Sequence, residues 1–439
     1  MRQLPIYLLI VIFVLSACNP DNIIPGIDDL INTDSIPGMD DFSDDPSDDP
    51  TNEAVLWEYE DFDMAITDLV VDGKDNVYFY TKVDEEYVLS AINNKGEVNW
   101  KIALTGGSYM QNAIMLANDK IILSYDYNVL ACFNTADGSE VWKTSITNFS
   151  DMAFSNGTIY LAQTITWDTQ SWVTAVDVSN GDVKWEQTMD KHIATKISAD
   201  QNHICFASED QLNYPYKIGI TLLTDQGDNV TIDWDFYKEY DSSDIAAKPR
   251  RASFDDQGNV FYEEGTTGST YIYSFDVSEG TENWNTKLSD FALPDPVVLY
   301  YPGKIVASYK SDESWAIVNS TVILNSADGT VVKKNDDIVL NDNQILLTGD
   351  YSTVVFNLLK GNQPTLQIYS PTGELSVSEN TDYVGWFITS IVDVRIATEG
   401  NLLIYYSDKL QCIKQDLAVP KAGTWYVRKG NNANTNSLQ

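Results

Sequence analysis

The chain has 439 residues, too many for one ordinary core of roughly 100–200 residues, so it is multidomain or a repeat architecture. Its 43% hydrophobic content excludes wholesale disorder. Lys and Arg number 27 against 65 Asp and Glu, a formal charge of -38, which excludes nucleic acid and electrostatic attraction to an anionic membrane surface; the only two His, His192 and His203, are too few for a three-His zinc site.

In chain order, Arg2, the apolar run Leu4 to Leu15 and the small residues Ser16 and Ala17 make a secretory signal over 1–17. The run is too short for a transmembrane helix, which needs about 20 apolar residues. Leu15-Ser16-Ala17-Cys18 resembles the bacterial lipobox, which implies lipidation of Cys18 and membrane attachment through lipid only. Residues 18–53 then read as the lipidated Cys and an acidic disordered tether, whose stretch from 19 to 53 holds ten Asp, one Glu and no Lys or Arg. The pairs Asp40-Asp41, Asp44-Asp45 and Asp48-Asp49 lack the Gly of a calcium loop of the EF-hand type, so a solvated spacer is expected and no metal site.

From residue 54 to 439 the chain is periodic. A strand over Val55 to Glu60 carries Trp57. Gly then recurs at 96, 138, 181, 227, 280, 329 and 373, spaced 42 to 53 residues apart. Trp100, Trp142, Trp185 and Trp284 each stand four residues beyond a Gly; in the fourth unit three extra residues delay it to Trp234. Asp137-Gly138, Asn180-Gly181 and Asp328-Gly329 are hairpin-turn dipeptides, because Gly reaches positive φ without a Cβ clash. A second turn series, such as Asp72-Gly73 and Asn156-Gly157, precedes a strand-like run in each unit. Each unit therefore reads as four antiparallel strands, the signature of a β-propeller. Seven units run to about Leu375, and three strands follow near Val392–Thr398, Leu402–Tyr406 and Leu410–Gln415. The isolated N-terminal strand supplies the missing fourth. The expectation is an all-β, eight-bladed propeller of four-stranded antiparallel blades closed by the N-terminal strand, about 48 residues per blade over 54–439. Trp57, Trp100, Trp142, Trp185, Trp234 and Trp284 are expected to be structural plugs between blades.

Ala175 through Asp177 and Gly181 to Trp185 fit the pattern A-x-D-x-x-T-G-x-x-x-W, with Asn180 for the Thr. Ser274-Phe275-Asp276 through Gly280 to Trp284, and Cys132-Phe133-Asn134 through Gly138 to Trp142, match with small changes. These repeats resemble the tryptophan-docking repeats of the pyrroloquinoline quinone (PQQ)-like eight-bladed propellers, and Trp425 through Arg428 to Asn434-Thr435-Asn436 looks like that family's terminal segment. The family includes quinoprotein dehydrogenases, which hold the quinone with Ca2+, a catalytic Asp and a disulfide between adjacent cysteines. Here Cys132, Cys205 and Cys412 are not adjacent and read as buried strand thiols. Neither His192 nor His203 has a triad context. No enzyme activity and no cofactor are expected.

The Trp residues that escape the repeat mark a face. In a four-strand meander, the loops between second and third strands share one face with the blade-to-blade connections. Trp167 and Trp172, Trp315, Tyr214 and Tyr216, and Trp386 fall on that face. Lys248-Pro249-Arg250-Arg251, the densest basic cluster of the chain, is expected there too, just before an innermost strand. Aromatic residues and Arg are enriched at binding hot spots; the competing reading pairs the arginines with Asp241 and Asp244. The resemblance to the lipid-anchored β-barrel assembly lipoproteins of BamB type implies an outer-membrane lipoprotein, periplasmic or surface-facing. Its role would be a non-catalytic protein-binding scaffold for envelope proteins, an outer-membrane β-barrel among them. The alternative is a surface glycan-binding or glycan-associated lipoprotein, in which exposed Trp and Tyr stack on sugar; a PQQ-dependent dehydrogenase ranks below both.

Overall fold

The computed structural model describes residues 55–105, 113–126, 128–146, 149–164, 171–193, 197–210, 215–241, 248–266, 269–289, 297–311, 318–336, 345–357, 365–372, 374–380 and 391–420. The chain divides into two units, Met1–Asn52 and Glu53–Gln439, and every described residue lies in the second. The expected signal over 1–17, Cys18 with its expected lipidation, the expected tether and the Trp425 to Asn436 segment lie outside the described residues.

The second unit is an eight-bladed propeller of four-stranded antiparallel sheets. Blade 3 shows the plan: Phe149–Ser155 is innermost, followed outward by Thr158–Thr164, Ser171–Asp177 and Val183–Met189. Central strands are buried on both faces and read as near-continuous apolar runs. Outer strands alternate, as in Val183–Met189. In blades 1 and 4 the innermost strand is broken in two, Met64–Ala65 with Val70–Val71 and His192–Ile193 with Ser198–Asp200.

Blade 8 is completed from both ends of the fold. Ile391–Ile396, Leu402–Tyr406 and Leu410–Ile413 are joined by Val55–Tyr59, with Trp57 opposite Cys412 and Tyr59 opposite Leu410. The closing seam is tied at three depths. Innermost, Asp393 accepts the Leu69 N–H at 3.2 Å and pairs with Arg395, whose guanidinium also reaches the Leu69 carbonyl at 3.4 Å. In the middle, Tyr59, Phe62, Phe79 and Tyr405 pack with ring centroids 5.7 to 6.0 Å apart. Outermost, Trp57 donates to the Asn94 carbonyl of blade 1 at 2.8 Å.

That outer contact recurs around the ring. Trp100, Trp142, Trp234 and Trp284 donate to the carbonyls of Thr135, Val178, Val277 and Ser326 in the next blade, at 2.8 to 3.0 Å. The ring lies over the turn glycine of that blade. At Gly181, φ is +78° and an added Cβ would sit 2.7 Å from Trp142, so both the backbone and the close approach require glycine. Trp185 differs. Its indole N–H meets the Asp225 carboxylate at 2.9 Å, which also accepts from Tyr160 and from the Gly227 N–H. The longer turn of the fourth unit thus replaces a carbonyl with a side chain.

All eight outer strands carry a one-residue bulge just before the docking position, at Leu56, Asn99, Val141, Lys184, Asp233, Asn283, Val332 and Ser376. A bulge raises local twist, which turns the following side chain toward the next blade and spoils the free edge as a template for aggregation. Blades 6 and 7 keep the bulge although Lys333 and Val377 stand where Trp is expected. Across the seam between blades 7 and 8 runs the segment after the last strand: the Gly349 N–H donates to the Ala418 carbonyl at 2.6 Å, and the Leu417 N–H to the Gly400 carbonyl at 2.8 Å.

Candidate functional site

The meander puts the turns between first and second and between third and fourth strands on one face, and the remaining connections on the other. Of the residues singled out on that second face, Trp167, Tyr214, Trp315 and Trp386 lie outside the described residues. Trp172 is the second residue of Ser171–Asp177, half-buried, opposite Gln163 and Thr188. Its strand neighbours Val173 and Ala175 join the core toward blade 4, so by alternation Trp172 stands on the side of blade 2. Tyr216 heads the third strand of blade 4, Tyr216–Asp225. Lys248, Arg250 and Arg251 lie within the innermost strand of blade 5, Lys248–Phe254, rather than before it. The Pro of Lys248-Pro249 suggests a connection, yet an innermost strand has a free edge on which Pro is tolerated.

The structure brings Tyr216 and the basic stretch to one place, the mouth of the seam between blades 4 and 5. Ile218, Ile220 and Leu222 of the Tyr216 strand share a core with Ala252 and Phe254 of the basic strand. Tyr216 is paired with Tyr240, which ends the outer strand Val230–Tyr240. This outer hairpin has strands of 10 and 11 residues, longer than the outer pair of any other blade. Its extra length lies against blade 5. Phe236 packs on Phe275 with centroids 4.8 Å apart, Lys238 bonds the Tyr273 hydroxyl, and Tyr240 donates its hydroxyl to Glu264. Trp172, one blade away, is not part of this group.

Backbone register separates the two arginines. Pro249 pairs with Glu264 and Arg251 with Glu263, leaving Arg250 as the extra residue of a bulge. The innermost strands of blades 3 and 8 have the same one-residue shift, before Asp151 and Asp393. Those carboxylates each accept a backbone N–H of the next blade, from Ile197 and Leu69, so this position couples neighbouring blades. Arg251 occupies that coupling position in blade 5, while Arg250 lies outside the ladder. In backbone register the residue opposite Arg251 is Glu263, while Asp244 lies outside the described residues.

Sequence reasoning missed Glu263 and Glu264, which are buried in the second strand of blade 5, Asn259–Thr266. Their signal was two consecutive acids inside a β run. Burial pushes the Glu264 carboxyl above the ordinary carboxylate range, against the opposing effects of the Tyr240 hydroxyl and Lys238. Burial likewise raises the Tyr240 and Tyr262 phenols, with Glu264 adding to the effect. The seam thus holds a cluster of proton-bearing groups. Elsewhere, burial pushes the Cys132 and Cys412 thiols up to about 12, so neither forms an appreciable thiolate at neutral pH.

The chain is similar to several known propellers. The sequence family described as outer membrane protein assembly factor BamB matches residues 49–286. BamB from Moraxella catarrhalis superposes with a TM-score of 0.53 at 12% identity, over 82% of this chain and 99% of that one. The quinohemoprotein alcohol dehydrogenase of Comamonas testosteroni gives a TM-score of 0.59 at 9% identity, over 84% of this chain and 77% of that one. The computationally designed protein Ika8 gives 0.58 at 10% identity, over 82% of this chain and 100% of that one. At these identities the structural likeness speaks for the fold alone. No functionally curated protein matches the chain in sequence.

Proposed function

We propose, for a chain that belongs to the family of the outer membrane protein assembly factor BamB, the role of a non-catalytic scaffold that binds other proteins in the cell envelope. Lipidation at Cys18 would anchor it to the outer membrane, with the acidic tether setting the propeller off from the lipid. The observation that carries the reading is the mouth of the seam between blades 4 and 5. There Tyr216 heads an extended hairpin of blade 4, and the innermost strand of blade 5 holds Lys248, Arg250 and Arg251. This is the densest basic stretch of a chain with a formal charge of -38. A stretch of this composition beside an aromatic residue suits an acidic protein partner, such as a component of outer-membrane β-barrel assembly. Against catalysis stand the separation of Cys132, Cys205 and Cys412 and the inert character of the two described thiols above.

The test is site-specific photo-crosslinking in intact envelopes. A photoreactive residue in place of Tyr216 is expected to capture one dominant envelope protein. The same residue in place of Glu279, exposed in a turn of blade 5 on the opposite face, is expected to capture far less. Equal capture from both positions, or capture of polysaccharide from position 216, would overturn the reading.

A further inference from the structure

Beneath the proposed partner face lies a contact between blades that depends on a proton. Glu264 is fully buried, and the hydroxyl of Tyr240 reaches it from the outer strand of blade 4. The groups around it are few. Its own strand contributes Tyr262 on the same side, with Glu263 next to it in sequence. The third strand of blade 5 contributes Tyr271, directly opposite, and Tyr273. The innermost strand sets Pro249 opposite it, between Lys248 and Arg250. From blade 4 come Tyr240, Lys238 and, paired with Tyr240, Tyr216. Lys238 is engaged by the Tyr273 hydroxyl and lies 4.0 Å from the Tyr273 ring centroid. Other charged groups of the outer hairpin are engaged on its own blade or toward blade 3: Lys217 with Glu239 at 3.2 Å, Asp235 with Lys191 at 3.6 Å, Asp225 with Trp185, and Asp233 with Thr224.

We infer that Glu264 is a pH-sensitive latch, which in its neutral form holds the end of the outer hairpin of blade 4 against blade 5 and in its ionised form releases it. Among the described residues, an ionised carboxylate in this site has tyrosine hydroxyls and no directly bonded cation, and desolvation penalises the charge. Opening the hairpin end returns the carboxylate to water. The closed state therefore binds the proton more tightly than the open state. The latch is fully set below the ordinary carboxylate range and weakens as pH rises through the raised value of the closed state. Because Tyr216 is paired with Tyr240, release would reshape the proposed partner face. That consequence rests on the proposed function; the latch itself does not.

Amide hydrogen exchange over residues 235–240 of the full chain tests it, with rates corrected for intrinsic base catalysis. In the wild type, opening is expected to increase by up to about tenfold per pH unit between the ordinary carboxylate range and the raised value of the closed state, and to level off once Glu264 has ionised there. Glu264→Gln should exchange slowly at every pH. Tyr240→Phe, which keeps the carboxyl but loses the bond, should exchange faster already at low pH. The infrared carbonyl band of a protonated buried carboxyl should disappear over the pH range in which the wild-type acceleration levels off. A Glu264→Gln protein with the pH dependence of the wild type would overturn the latch. So would a wild type whose corrected exchange ignores pH. If Glu264→Gln fails to fold, the infrared titration against wild-type exchange decides alone: acceleration that continues well above the pH at which the band is lost, or ends well below it, refutes the latch. All of these are read on the protein without a partner, so they stand apart from the crosslinking result.

Discussion

Removal of residues 54–60 is expected to give a protein that aggregates or melts far below the wild type, whereas removal of 19–53 leaves the melting temperature nearly unchanged. The first deletion takes away the outer strand of blade 8 and with it Trp57 and Tyr59. Each is a large aromatic packed at the seam, and loss of such a side chain typically costs about 3–5 kcal/mol when fully buried. Tyr59 is buried, while Trp57 is partly exposed and bonded to the Asn94 carbonyl. The deletion also uncovers Leu410–Ile413 as a new sheet edge without the bulge that blunts every other outer strand. Thermal melts with light scattering check both variants. Equal melting of the two would refute closure by the N-terminal strand.

The second large effect is expected at the inner end of the same seam. Asp393→Ala should destabilise the protein by about 3–5 kcal/mol, because it leaves the guanidinium of Arg395 buried without its carboxylate. The variant also removes the acceptor of the Leu69 N–H, so blade 8 loses one of its ties to blade 1. Replacing both Asp393 and Arg395 with apolar residues of similar volume should recover much of the loss, since the pair itself brings little net stability once its desolvation is counted. Urea unfolding of the single and double variants measures this. A single variant as stable as the wild type would show that blade 8 is held by its outer contacts alone.

Much of the architecture was legible in the sequence because a propeller repeats its hydrogen-bonding needs. The turn glycines and the Trp four residues beyond them report one geometry in unit after unit, and closure followed from one strand too many at the start and one too few at the end. The bulge before each docking position was hidden, because Leu56, Asn99, Val141 and Ser376 share no chemistry. The bulge is a property of backbone register. The same holds for Arg250 and Arg251, adjacent in sequence and alike in charge, which register sends to different roles. Sequence placed Tyr216 and the basic stretch on one face; only the packing of blade 4 on blade 5 brings them to one seam and leaves Trp172 elsewhere. Glu263 and Glu264 were illegible because their burial depends on a neighbouring blade, not on their own strand.

Charge reversal at the two arginines, one at a time, tests most directly that the mouth of the seam between blades 4 and 5 is where a protein partner binds. Arg250 occupies the bulge, outside the ladder, so Arg250→Glu breaks no ladder pairing and should change stability by no more than about 1 kcal/mol. Added repulsion toward an acidic partner should nevertheless abolish the dominant crosslink from position 216. Arg251 is set opposite the buried Glu263, so Arg251→Glu places two acids directly across a strand pair and should lower the melting temperature. The deciding measurement is the crosslink yield of the Arg250→Glu protein in intact envelopes, compared with the wild type at equal abundance. The predicted result is a folded, anchored propeller that captures nothing from position 216. A folded protein that keeps the full crosslink would contradict the account and move the partner site elsewhere on the propeller.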